Sequence, residues 1–365
     1  MTRDALSYFK DLHPLAELSN KEHKTQAYIV NALNALGIET QAPIGDTGVV
    51  GIIRGADPGP TVMFRADMDA LPYHDDDKGL VAIHACGHDS HCAMLLATAH
   101  DVKSIVKKGT LKLVFQPGEE NLTGALAMIR DGLIEDVDIA VGGHIRPLTD
   151  LAPGEMCSKL KHVACATVDI KLSGKTAHAS RPHLGVNPLD VAASLIQNVN
   201  ALRFNPQEAW SIKATRMQCE PGAKNSLAQW AVVSYDLRAE TNPLLQDMLR
   251  RLYLMADTTA LAFETRAHCD LIEECPASEY DPELVAMIEE EICSIVGPEG
   301  LKETAGGGGE DFHFYKTKKP SVRTAYFGVG VGATPGLHCR NMTFDTGYLK
   351  NGVALWKRIA ARLLG

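Results

Sequence analysis

Short apolar runs that each end in a chemically loaded turn constrain this chain most. "VVGII" (49–53), "TVMFR" (61–65), "LKLVFQ" (111–116) and "DIAVGG" (138–143) read as buried strands. Residues 22–36 carry apolar side chains at helical spacing and stop at Gly37, and further helical patterns fall at 89–101 and 122–131. Buried strands alternating with helices predict a doubly wound α/β sheet, in which sites gather beyond the carboxyl ends of the strands.

The middle of the chain follows another pattern. Strands are expected at 163–173, 210–219, 229–239 and 262–271, with helices at 187–202 and 242–260. Both helices open on Asn-Pro, with Asn187 as the cap of the first. The order β-α-β-β-α-β is the split ferredoxin-like unit. After about 272 the α/β character returns, with helices at 281–297 and 347–364 and a strand within 324–332. The expected organisation is one α/β domain (1–162 and 272–365) interrupted by an inserted domain (163–271). "GGGG" (306–309) reads as a flexible turn entering a helix.

Composition narrows the function classes. The formal net charge of -9 argues against a nucleic-acid binder, which needs a basic face. No apolar run is long enough to cross a bilayer, and the opening "MTRDALSYFKDLHP" lacks the apolar core of a signal peptide. Nine scattered cysteines without a CxxC pair argue against a disulfide framework and for a reducing cytoplasm.

Chemistry concentrates at four places. "HACGHDSHC" (84–92) holds a metal-ligand or redox composition, but Cys86 and His88 lack a second pair for a closed zinc site. They are expected at or before a helix N-terminus, where the dipole lowers a thiol pKa. His84, His91 and Cys92 read as loop contact, helix surface and core thiol rather than as ligands. Asp67 and Asp69 follow a strand and serve either as turn caps or as carboxylates orienting a ligating histidine. Glu119 and Glu120 stand after a strand and a Pro-Gly turn. They are either a solvated turn or a pair in which one binds a cation and the other takes a proton from water. His144 follows a strand and two glycines.

In order along the chain stand "RADMDALP", "HACGHDSH", "FQPGEE", "GGHIRP", "GKTAHASRP", "GEDF" and "LHCRNMTFD". They resemble the aminoacylase and carboxypeptidase superfamily of dinuclear metallohydrolases. The branch is that of indole-acetyl-amino-acid hydrolases, hippurate hydrolases and N-acetyl-diaminopimelate deacetylases. The resemblance implies a zinc-peptidase-like catalytic domain carrying an inserted lid and dimerisation domain. It implies that Cys86, His88, Glu120, His144 and His338 bind two divalent ions per subunit, with Cys86 between them. Zn, Co and Ni suit a thiolate, and Glu also admits Mn. Glu119 matches the general base and Asp69 a carboxylate supporting the metals. His178 matches a lid histidine reaching the partner subunit's active site. Asn225 and Arg238 match residues that hold the substrate's carbonyl and carboxylate. The sequence departs from the family at Gly118, usually alanine, at "NSLA" (225–228), usually "NVIP", and at "HPLAE" (13–17), usually "HPEL".

The expected activity is hydrolysis of the amide of a small N-acyl amino acid by a homodimer without nucleic acid or membrane. Glu119 would shuttle the proton, His178 and a cation would hold the oxyanion, and Arg238 would grip the carboxylate. Alternatives are a metallo-carboxypeptidase or dipeptidase, a non-catalytic amino-acid-conjugate binder, which the retained Glu119 disfavours, and a thiol redox protein using Cys86 and Cys92.

Overall fold

A computed structural model describes residues 3–304 and 308–365. Gly306 and Gly307 of the glycine tract lie outside the described residues. The chain forms two compact units. One joins the stretch through Lys161 to the chain from Glu279 onward, and the other holds His162–Ser278 with Gly309.

Unit 1 begins with α1 (Ala5–Leu12), α2 (His23–Ala35), β1 (Glu39–Ile44), β2 (Gly48–Arg54), β3 (Asp57–Asp67), β4 (Leu71–Asp75), β5 (Gly79–Ile83), α3 (His88–Ile105), β6 (Lys108–Gln116), α4 (Gly124–Arg130), β7 (Ile139–Pro147) and β8 (Met156–Cys157). Unit 2 follows with β9 (Ala164–Ser173), α5 (Pro188–Asn200), β10 (Trp210–Cys219), β11 (Trp230–Ala239), α6 (Asn242–Ala262) and β12 (Ala267–Cys275). Unit 1 is then completed by α7 (Pro282–Val296), α8 (Phe314–Lys318), β13 (Arg323–Ala333) and α9 (Leu349–Leu364).

The unit 1 sheet has the order β1-β2-β6-β3-β7-β13-β8. Its inner strands β6, β3, β7 and β13 are parallel, whereas β1, β2 and β8 pair antiparallel. Alternate residues of each inner strand feed two cores. Val62, Phe64, Leu113 and Val141 pack with residues of α1, α3 and α9. Met63, Val114, Ala140 and Tyr326 pack with Met128 and Phe312 on the other face. Burial on both faces is why these strands read as unbroken apolar runs. Because the inner strands are parallel, their carboxyl ends share one edge of the sheet, and the chemically loaded turns meet there.

Elements without an apolar signature escape the sequence pattern. Strand β1 is mostly exposed, and the β4–β5 hairpin is intermediate or exposed along its length. Helix α7 has the expected ends: Asp281 accepts from the Leu284 N–H at 2.8 Å, and Gly297 turns out of the helix at φ 76°.

Unit 2 has the order β10-β11-β9-β12, antiparallel throughout. Helices α5 and α6 cover one face, where Val168, Ile170, Tyr235 and Leu237 pack against Leu195, Leu245 and Met248. The opposite face carries Thr167, Asp169, Lys171, Asp236 and Arg238. The Asn187 side chain caps α5 by accepting from Leu189 N–H at 3.3 Å. Thr241 rather than Asn242 caps α6, and Asn242 Oδ1 instead accepts from the Ala277 N–H at 2.7 Å. Strand β12 lies later than the expected 262–271, because α6 continues through Ala262 before the chain turns.

Candidate metal centre

Each loaded turn of unit 1 delivers its side chain for a local reason. Asp69 stands two residues past the end of β3. Glu119 and Glu120 follow the Pro117–Gly118 turn that ends β6. Gly118 holds φ +59°, and a β-carbon there would stand 2.4 Å from Asn20 Oδ1, so glycine suits this turn where the family has alanine. His144 lies inside β7 rather than after it. The neighbouring Gly142 and Gly143 leave room for the Tyr326 and Phe327 rings, which a β-carbon would approach to 2.4 and 2.5 Å. Cys86 ends the loop after β5, Gly87 is the N-cap residue at φ 87°, and His88 is the first residue of α3. His338 follows β13 with φ 63°, its N–H donating to the Ala85 carbonyl at 2.8 Å.

The donor atoms converge. Cys86 Sγ lies 3.3 Å from His144 Nε2. Cys86, Glu120 and His338 each offer an atom within 4.8 Å of the others. His338 Nε2 and His88 Nε2 lie 3.5 and 3.7 Å from Glu120 Oε1. Glu119 Oε2 stands 4.0 Å from His88 Nε2. Cys86 is thus common to two donor groups, one with His144 and one with Glu120 and His338.

Hydrogen bonds on the far side of each ring fix which atoms face inward. His88 Nδ1 donates to Asp69 Oδ1 at 3.0 Å, which leaves Nε2 turned inward without a partner in the protein. Asp69 is itself held by Ser19 Oγ at 2.7 Å and by the Glu120 N–H at 3.0 Å. His144 Nδ1 donates to the Ile145 carbonyl at 2.5 Å. His88 Nε2 and Glu120 Oε1 are buried and have no hydrogen-bond partner within the protein. Orphaned buried acceptors are costly unless a cation satisfies them. Thiolate, imidazole and carboxylate are also a donor set that divalent transition metals take.

The electrostatics point the same way. Burial, resisted by His88, pushes the Glu120 carboxyl up to about 7. Burial and the charges of Glu310 and Glu120 push Glu119 well above the usual carboxylate range. Burial holds His144 well below the ordinary imidazole range, so its ring is neutral. Burial also lowers His338. Burial opposes a charge on His88, but Asp67, Cys86 and Asp69 outweigh it. The helix N-terminus does not by itself yield a thiolate at Cys86: burial pushes this thiol up. A bound cation reverses that sign.

Behind the donors lies a network that the sequence pattern did not single out. Arg65, fully buried, donates to Asp67 Oδ2 at 2.7 Å and Asp311 Oδ1 at 2.8 Å, and lies 3.0 Å from Glu310 Oε1. Asp67 Oδ1 meets His91 Nδ1 at 2.5 Å, and His91 Nε2 accepts from the Ile145 N–H at 3.0 Å. Both His91 nitrogens are therefore committed, and it serves as a support for the His144 strand. The Cys92 thiol donates to the Asp67 carbonyl at 3.0 Å and makes no pair with Cys86. Among the described residues, His84 belongs to none of the ligand groups. Arg65 and Glu310 lay within the quoted "RADMDALP" and "GEDF", and their position in those motifs was the only signal.

His178, Asn225 and Arg238 belong to unit 2. His178 Nδ1 accepts from Ser180 Oγ at 2.8 Å. The Asn225 carbonyl accepts from the Ala179 N–H at 2.8 Å, which ties these two segments together. Arg238 donates through both prongs to Asp236, at 2.9 and 2.7 Å. All three side chains belong to exposed or half-buried positions.

Comparison with known proteins adds the following. The sequence model of Peptidase family M20/M25/M40 matches residues 63–362. The chain is 30% identical over 386 residues to thermostable carboxypeptidase 1 of Saccharolobus solfataricus, spanning 97% of this chain and 93% of the relative. It is 29% identical over 338 residues to the N-acetyl-L-cysteine deacetylase of Bacillus subtilis, spanning 87% and 79%. Two solved structures share the fold. A putative aminohydrolase from methicillin-resistant Staphylococcus aureus superposes with TM-score 0.89 at 22% identity, covering 99% of this chain and 96% of its own. A dinuclear metal-binding peptidase of the M20 family from Bacillus subtilis gives 0.82 at 24% identity, covering 99% and 97%.

Proposed function

The chain belongs to peptidase family M20/M25/M40, and on that premise we propose that it cleaves the amide of an N-acyl amino acid and releases the free amino acid. The observation that carries this reading is the overlap of two donor groups, Cys86–Glu120–His338 and His88–Glu119–Glu120, with His144 beside Cys86, around the unpartnered His88 Nε2 and Glu120 Oε1. In this reading Cys86, His88, Glu120, His144 and His338 would hold two divalent cations, Cys86 among them as a thiolate; Zn, Co, Ni and Mn are the candidates. The cations supply Lewis acidity and make water a better acid. Glu119 accepts the proton of the attacking water and returns it to the leaving amine. Burial and its carboxylate neighbours favour a protonated Glu119, which suits it to the second of these tasks. Asp69 keeps His88 in the tautomer that offers Nε2.

The reading extends to unit 2. It is taken as the lid and dimerisation domain, residues 163–271 by sequence, with His178 acting on the partner subunit's substrate carbonyl. Asn225 takes the carbonyl as well, and Arg238 takes the carboxylate, sharing or giving up Asp236 to do so. The dimer acts on a small molecule in the cytoplasm, where the free cysteines stay reduced. None of the described helices is long and apolar enough to cross a membrane. A carboxypeptidase or dipeptidase on short peptides is the second reading, favoured by the carboxypeptidase relative.

A panel of N-acetyl amino acids and dipeptides, offered to protein loaded with Zn²⁺, Co²⁺ or Mn²⁺, decides between them. Release of the amino acid from the acetylated set supports the first reading, and release from dipeptides alone the second. Full activity in Glu119→Gln with unchanged metal content refutes the assigned chemistry.

A further inference from the structure

We propose that Cys165 and Cys275 are a redox-active dithiol that a hydroperoxide closes into a disulfide, stapling the first strand of unit 2 to its last. Cys165 is the second residue of β9 and Cys275 the final residue of β12, and the antiparallel register sets them directly opposite each other. Facing residues in such a pair have Cα atoms about 4.5–5.5 Å apart, inside the roughly 4.4–6.8 Å that a disulfide spans. Cys275 Sγ also approaches the Pro276 carbonyl at 3.9 Å. Both sulfurs also crowd one point above Gly309, where a β-carbon would meet Cys165 Sγ at 3.2 Å and Cys275 Sγ at 3.5 Å. Both are reduced in the structure, neither being in a disulfide.

The surroundings assign the two sulfurs different tasks. Cys165 faces Cys275 on one neighbouring strand and Arg238 on the other. The neighbouring Cys275 side chain lowers the Cys165 thiol below its ordinary range despite burial, and the Arg238 charge adds to this. Cys165 keeps 9% of its surface exposed, while Cys275 keeps none. Cys165 is therefore the attacking thiolate and Cys275 the resolving thiol. The Cys165 sulfur attacks one peroxide oxygen, the O–O bond breaks, and hydroxide leaves and takes up the proton lost by the thiol. Cys275 then displaces water from the resulting sulfenic acid, forming the S–S bond. In sum two thiols and one hydrogen peroxide give one disulfide and two waters, the sulfurs losing the electrons that the peroxide gains. The bridge closes nearly all of unit 2 into one covalent loop and restricts its unfolded chain. Cys86 and Cys92 lack this setting, because burial raises both thiols.

The test treats the intact protein with stoichiometric hydrogen peroxide, alkylates the remaining thiols, digests and maps the peptides by mass spectrometry. The expected product is one intrachain cross-linked peptide pair carrying Cys165 and Cys275. It forms with loss of two hydrogens, is reversed by dithiothreitol, and raises the melting temperature. Cys165→Ser abolishes the cross-link, whereas Cys275→Ser leaves a Cys165 sulfenic acid that dimedone traps. Cys219→Ser, at an exposed site facing Ala231, leaves the cross-link intact. The proposal is overturned if Cys165 and Cys275 are recovered separately alkylated once Cys219 is oxidised, or if the disulfide joins two chains. The wild-type map stands even if a buried substitution prevents folding.

Discussion

The two units carry their polar side chains in opposite ways. In unit 1, Cys86, His88, Glu119 and His144 are buried, and the outer nitrogens of His88 and His144 are tied down while their inner nitrogens lie near Glu120 and Cys86. In unit 2, His178 and Arg238 are at the surface and are satisfied by near neighbours, Ser180 and Asp236. The first arrangement is preorganised: its orientation is fixed before any ligand arrives, and its desolvation is already met by folding. The second is available but uncommitted. Its groups must exchange a protein partner for a ligand, which costs affinity rather than chemistry. Substitutions in unit 1 should accordingly act on turnover and metal binding, and substitution of Arg238 in unit 2 on KM.

The largest effect is expected at Glu119. Glu119→Gln should lower kcat by about 10²–10⁴-fold, the usual worth of a positioned acid–base group, while metal content by plasma emission spectroscopy stays at the wild-type value. An equal loss of metal would make Glu119 a ligand instead. Next is Asp69→Asn, which frees the His88 ring and should weaken metal binding by about 10–100-fold in a competition titration with a chromophoric chelator. Unchanged affinity would mean that α3 alone orients His88, and the picture of a tied outer nitrogen would fail.

What the sequence made legible follows from burial. Strands β3, β6, β7 and β13 are apolar on both faces, so they stand out as runs. The chemistry at their ends is visible because Pro-Gly turns and paired glutamates are rare in cores. Exposed β1 and the β4–β5 hairpin bury too little apolar surface to leave a pattern. The α6 cap is not legible from the Asn-Pro start, because Thr241 and Asn242 both precede Pro243, and only the side-chain geometry tells which one accepts from Leu244. Arg65 was invisible for a deeper reason. A fully buried arginine is justified by Asp67 and Glu310–Asp311, and the latter lie some 245 residues away along the chain. No local spacing encodes that pairing. The position of His144 inside β7 was likewise hidden, since a strand's end is set by its partner's register and not by its own composition.

In unit 2 the sharper prediction concerns Arg238. Arg238→Ala should raise KM for a carboxylate-bearing substrate by about 10-fold and leave kcat within about threefold, the size expected for a charge-assisted bidentate contact at a half-exposed site. Initial-rate kinetics separate the two constants. A fall in kcat with KM unchanged would erase the contrast between a preorganised unit and an uncommitted one.

The smallest effect is a pH dependence whose sign depends on the cations. In the metal-free protein the Glu120 carboxyl sits at about 7 against an ordinary 4.5, so the folded chain holds this proton more tightly than the unfolded chain. Its stabilising contribution is complete below about pH 4.5 and is lost as pH rises through 7. His88, raised by Asp67, Cys86 and Asp69 against its burial, contributes with the same sign. His144 and His338, both lowered by burial, contribute with the opposite sign, so the Glu120 part is read as a difference: chelator-treated wild type should lose on the order of 1 kcal/mol more than Glu120→Gln between pH 5 and pH 8, read from the two Tm curves. Cations need the ionised carboxylate and the neutral ring, so metal-loaded protein should gain stability over the same interval. The two Tm curves should diverge with rising pH, and Glu120→Gln should shrink the divergence. Metal-free wild type and Glu120→Gln whose Tm values follow the same pH course would show that the folded chain holds no extra proton at Glu120, and the preorganised unit would lose its electrostatic rationale.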